Sequence, residues 1–172
     1  MAIKGLTIDM DTQFDLLADA VTELVGEAGK VTVKEKGSKG LKMQSRDHIA
    51  ANSMFADIKI RFHGSNSDVG VYVDDNGQVQ LAWDSYVVRG NKQLKDTFEG
   101  RSDRNTFEKN LNAMVVAKTL EQAALERGMV SLGVKRVSKT KTSGQFEVTI
   151  QTGSLGMEKK DKNKLGGSLG GF

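Results

Sequence analysis

The reading of the fold turns on Val69-Gly70-Val71-Tyr72-Val73-Asp74-Asp75-Asn76-Gly77-Gln78-Val79-Gln80-Leu81-Ala82-Trp83. Val69, Val71 and Val73 alternate with Gly70 and Tyr72 before the polar break, and Val79, Leu81 and Trp83 alternate with Gln80 and Ala82 after it. A period of two puts the branched and aromatic side chains on one face and the small or polar ones on the other. Asn76-Gly77 suits a two-residue type I′ turn, in which both central positions need positive φ. The stretch therefore predicts an antiparallel hairpin with one buried face.

Upstream, Phe55 to His63 reads as a strand: Ile58, Ile60 and Phe62 point one way, and Asp57, Lys59, Arg61 and His63 the other. Added to the hairpin, it makes a three-stranded meander. Its polar face carries Lys59, Arg61, His63, Tyr72, Gln78 and Gln80. Cations beside an exposed aromatic are what a sheet needs to hold phosphates and stack a base, with Tyr72 as the stacking residue. An ordinary solvated sheet face explains the same pattern.

Further out, residues 2–8 read as a first strand. A helix capped by Asp11 or Thr12 follows to about Gly26–Gly29, with Phe14, Leu17, Ala18, Val21, Leu24 and Val25 along one stripe. Asp9 and Asp11 form a D-x-D pair, which capping explains without a metal. Val31 and Val33 mark a strand running into a basic, glycine-punctuated stretch with Lys34, Lys36, Lys39, Lys42 and Arg46, read as a mobile loop. Residues 84–103 are polar and read as a loop with a helical turn. A long helix runs from about Arg104 or Thr106 to Arg127, stopped by Gly128. Val130, Leu132 and Val134, then Phe146, Val148 and Ile150, alternate as a second hairpin; its tip carries Lys135, Arg136, Lys139 and Lys141. The order β-α-β-β-β-β-α-β-β predicts an α+β domain over residues 1–152, an antiparallel sheet with two helices packed on one face. Residues 153–172, rich in Gly and Lys with Gly-Ser-Leu-Gly at 153–156 and again at 167–170, read as a flexible tail.

The net charge is only +3, but its distribution is uneven: −4 over residues 1–30, +4 over 31–64, −2 over 65–127 and +5 over 128–172. Two basic blocks around a near-neutral middle suit a polyanion, although solvated loops account for them equally. There is no cysteine, which removes disulfides and thiolate metal sites and fits a reducing compartment. No run of about 20 apolar residues is present, and the N-terminus lacks a signal-peptide pattern. The expectation is a cytoplasmic protein with no membrane partner.

The chemistry of catalysis is hard to find here. His48 and His63 are the two histidines, one in a basic loop and one at a strand end. No nucleotide P-loop, G-x-S-x-G elbow, metal-spaced histidine pair or dinucleotide fingerprint occurs. The reading is a non-enzymatic binding protein with no cofactor and no metal.

Several phrases carry a family resemblance over about residues 2–152. They are Ala56-Asp57-Ile58-Lys59-Ile60 leading to Asp68-Val69-Gly70-Val71, then Asp75 through Asp84, Glu126-Arg127-Gly128, and Gly144 through Ile150. In these the chain resembles an uncharacterised family of cyanobacteria, plastids (the hypothetical chloroplast reading frame numbered thirty-five) and phages, a domain of unknown function. The resemblance implies the α+β order and no reaction. The chain departs from it in reading Val115-Val116-Ala117-Lys118 where the family has a Tyr-x-Tyr-His-type stretch, and in the extra segments 85–103 and beyond Gly153. The Gly-Ser-Leu pieces also look like the C-terminal peptides that load cargo into encapsulin shells.

Two functions follow as expectations. In the first, single-stranded DNA or RNA lies across Lys34, Lys36, Lys39, Lys42, Arg46, Lys59, Arg61, Lys135, Arg136, Lys139 and Lys141, joined by Lys159, Lys160, Lys162 and Lys164, with a base on Tyr72. In the second, the protein is an adaptor or assembly protein. Leu155, Leu169 and Phe172 then dock on a protein partner such as an ATPase machine or a protein shell.

Overall fold

A computed structural model describes residues 2–44, 54–83, 104–136 and 146–151. Its elements are β1 (Ala2–Thr7), α1 (Phe14–Val25), β2 (Gly29–Val33), β3 (Leu41–Lys42), β4 (Phe55–Ala56), β5 (Ile58–Phe62), β6 (Val69–Val73), β7 (Gln78–Ala82), α2 (Arg104–Glu126), β8 (Val130–Arg136) and β9 (Phe146–Gln151). A 3₁₀ turn, Gly26–Ala28, links α1 to β2. The fold is α+β. A five-stranded antiparallel sheet has the order β1-β7-β6-β5-β2, and β3-β4 and β8-β9 form separate two-stranded ribbons. No helix among the described residues is long and apolar enough to cross a membrane.

The period of two is obeyed in the meander. Ile58, Ile60, Phe62, Val69, Val71, Val79 and Leu81 are all buried on one face, where α1 and α2 cover them. Because β1 and β2 occupy opposite edges of the sheet, α1 must cross that face between them. It does so on Leu17, Ala18, Val21, Leu24 and Val25, as its stripe predicts. α2 adds Phe107, Leu111, Met114 and Val115 to the same core. Trp83 bridges sheet and helix, with its ring centroid 6.3 Å from Phe62 and 5.4 Å from Phe107. α2 ends as the glycine demands: Gly128 adopts φ +75°, its N–H donates to Leu125 O, and the Met129 N–H reaches Ala124 O. These two bonds make a Schellman cap.

Four local expectations are revised. The hairpin turn is a three-residue loop, not a two-residue type I′ turn. The Gly77 N–H donates to Asp74 O (2.9 Å) and the Asp74 N–H to Gln78 O (3.0 Å), so Asp75 and Asn76 form the turn and Gly77, at φ +77°, takes the left-handed bulge position. The Asp74 carboxylate is the reason: it accepts from the N–H groups of Asn76 and Gln78 and from Gln80 Nε2, which stabilises the longer loop. At the start of α1 neither Asp11 nor Thr12 is the cap. Asp9 instead accepts the Asp11 N–H, Gln13 Oε1 accepts the Asp9 N–H, and the helix starts at Phe14 behind Gln13. The strand expected over Phe55 to His63 breaks at Asp57. The residues read as a mobile loop include β3, pinned to the sheet. Residues 84–103, His48 and the segment expected as a flexible tail lie outside the described residues.

The turn carries a pH test. Hydrogen bonds from the Gln80 side chain, then the Gln78 and Asn76 amides, hold the Asp74 carboxyl below its ordinary 3.8 despite some opposing burial. A depressed carboxyl contributes stability that is complete above the unfolded value and is lost as pH falls through the folded one. Hydrogen-exchange protection of the Asn76 and Gln78 amides is therefore expected to hold above pH 3.8 and to fall below it. In Asp74→Asn that acid dependence disappears.

A candidate nucleic-acid interface on the β3–β4 ribbon

The polar face of the sheet is not open. At Gly70 it is covered by the β3–β4 ribbon, since a Cβ there would sit 2.3 Å from Met43 Sδ and 3.0 Å from the Ala56 methyl. Met43 and Ala56 are both buried, so a small second core lies on the side that the residue pattern marks as solvated. Only a residue without a side chain at position 70 lets the ribbon approach this closely.

Two buried carboxylates fasten the ribbon. Asp68, 1% exposed, faces Arg61 on the neighbouring strand and holds its Nε at 2.5 Å. Its other oxygen accepts the Gln44 N–H at 2.7 Å, and its own N–H donates to Gln44 O at 2.7 Å. Arg61 completes the knot by donating to Gln44 Oε1 and Ser65 O. Asp57, at the break between β4 and β5, accepts the Val73 N–H (2.8 Å) and holds Lys34 Nζ (2.5 Å), while Lys34 also lies over the Phe14 ring. A buried carboxylate needs such partners, because its desolvation is otherwise uncompensated.

These contacts sort the expected binding residues. The charges of Arg61 and Lys34 are matched inside the domain, and Tyr72 is half-buried in the row with Gln80. Lys135 and Arg136 belong to β8, opposite Glu147 and Phe146, and so stand in the strand, short of the tip. Arg46, Lys139, Lys141, Lys159, Lys160, Lys162, Lys164, Leu155, Leu169 and Phe172 lie outside the described residues.

The outer side of the ribbon is different. Leu41 pairs with Ala56 and Lys42 with Phe55, and directly opposed residues share a side. With Ala56 turned inward, Lys42 and Phe55 face solvent together, and Phe55 is 53% exposed. Lys59 Nζ donates to Lys42 O at 3.3 Å, which brings a second ammonium to the ribbon. Gly40 passes close to Phe55: a Cβ there would lie 3.2 Å from Phe55 Cβ. That leads Lys39 into the ribbon beside Phe55, with Lys36 on the turn closed by Ser38 N–H to Glu35 O. Lys36, Lys39 and Lys42 are exposed, and their head groups make no ion pair among the described residues.

Reading the chain alone therefore finds four of these lysines but misses the aromatic. The break at Asp57 is the reason: the alternation of Ile58, Ile60 and Phe62 does not carry across it to Phe55. No family model, curated protein or solved structure matches the chain, so no relative assigns a role to this ribbon.

Proposed function

We propose that the protein binds single-stranded nucleic acid on the outer side of the β3–β4 ribbon, without catalysis. The supporting observation is the solvent-facing Phe55 ring flanked by Lys42 and Lys59 on a ribbon anchored by Asp68. An unpaired base stacks on the ring, and Lys36, Lys39, Lys42 and Lys59 meet the phosphates on either side. A duplex keeps its base faces covered and gains only the electrostatic part.

The test is fluorescence anisotropy of a labelled single-stranded oligonucleotide across a salt series. With four phosphate contacts, log K is expected to fall with log[salt] at a slope of about −3. Phe55→Ala is expected to weaken binding by about 5- to 150-fold, the range for losing one stacked base, with the slope unchanged. Lys42→Ala with Lys59→Ala is expected to flatten the slope by about 1.4. Salt-insensitive binding, or full affinity in Phe55→Ala, overturns this reading and moves the assignment to the protein-partner adaptor.

A further inference from the structure

A groove of about 330 Å³ runs between α1 and α2, lined by Thr12, Asp15, Leu16, Asp19, Lys118, Glu121, Gln122 and Leu125. Leu125 is 52% exposed there. The groove joins an apolar strip, Leu16 and Leu125, to three carboxylates, Asp15, Asp19 and Glu121, against the one lysine. That lysine is already engaged: Lys118 Nζ is 2.5 Å from Glu23 and 3.8 Å from Glu121. Burial works against the Lys118 ammonium, yet the bond and charge of Glu23, then Glu121 and Asp19, hold its pKa above the ordinary 10.5. The groove is thus a cation-favouring surface with an uncovered leucine.

The chain itself contains the complement. Residues 159–165 read Lys-Lys-Asp-Lys-Asn-Lys-Leu, four lysines and one acid ahead of a leucine. Their point of departure is set by the last described strand: Gln151 pairs with Val130, five residues beyond Leu125. A flexible chain of seven residues spans about 15 Å r.m.s.. Glu121 lies about 6 Å below Leu125 along α2. Seven residues separate Lys159 from Gln151, the end of a strand whose partner follows α2.

We infer that residues 159–165 dock intramolecularly into the α1–α2 groove, lysines along Asp15, Asp19 and Glu121 and Leu165 on Leu16 and Leu125. Tethering replaces a weak bimolecular contact by one at high effective concentration. This docking is independent of the ribbon, which lies on the other side of the sheet from the two helices.

Carbodiimide cross-linking of the full chain, read by mass spectrometry, tests it. Amide links from Lys159, Lys160, Lys162 or Lys164 to Asp15, Asp19 or Glu121 are expected, within single chains in a mixture of ¹⁴N- and ¹⁵N-labelled protein. In Asp15→Asn with Asp19→Asn, both exposed, links to the remaining Glu121 are expected to fall about threefold or more, as two exposed ion pairs are lost. Links spread evenly over carboxylates elsewhere, such as Glu35 and Asp75, overturn the inference. So do links found only between differently labelled chains, which assign the groove to a second copy. An unchanged Glu121 yield in the double variant also overturns it.

Discussion

Phe107→Ala is expected to lower stability by about 3–5 kcal/mol, the cost of deleting a fully buried phenyl ring together with the cavity it leaves. Phe107 is 0% exposed and meets Trp83, so the cavity opens where α2 joins the sheet. For a domain of this size the loss corresponds to about 10–20 °C in Tm. Trp83 is the one tryptophan, which makes the test specific. In the folded variant its emission is expected to shift to the red as water reaches the ring beside the cavity. A loss under about 1 kcal/mol, the range of surface substitutions, would mean that α2 does not pack on this sheet.

Asp68→Ala is expected to have the next largest effect, about 2–4 kcal/mol. The range for breaking a buried pair is about 3–5 kcal/mol, and it is reduced because the Arg61 side chain is 34% exposed and regains some hydration. The substitution strands two groups at once, the Arg61 guanidinium and the Gln44 N–H, and removes a side-chain anchor of the ribbon. A double-mutant cycle with Arg61→Met separates the terms, because removing both charges spares the cost of an unpaired buried ion. Urea unfolding of the four proteins measures it, with the double variant expected closer to the wild type than Asp68→Ala alone. Since the ribbon presents Phe55, oligonucleotide affinity is expected to fall in Asp68→Ala although Asp68 touches no phosphate. Unchanged affinity together with lost stability would show that the ribbon does not depend on this anchor.

Much of the architecture was legible because it depends on local periodicity. Ile58, Ile60 and Phe62, the alternating hairpin valines and the stripe of α1 each place their own apolar side without reference to the rest of the chain. Gly128 ends α2 for a reason contained in its own backbone freedom. Turn length was less legible. Asn76-Gly77 favours a two-residue loop, and it took the Asp74 carboxylate, reaching across to Gln80, to favour three. That preference is a competition between two local patterns, and spacing alone does not weigh them.

What the amino-acid sequence determined by itself is the period of each element, the class of the fold and the two basic blocks. What only the tertiary structure decided is which charges remain available. Arg61 and Lys34 look the same in the sequence as Lys42 and Lys39, but Asp68 and Asp57 neutralise the first two, across a strand pair and at a strand break. Likewise Phe55 reads as one more apolar strand residue until pairing with Lys42 turns it outward, and Met43 reads as loop until Gly70 makes room for it. The physical reason is common to all of them. Periodicity along one strand gives the direction of a side chain, whereas desolvation and charge pairing depend on what a distant segment brings against it.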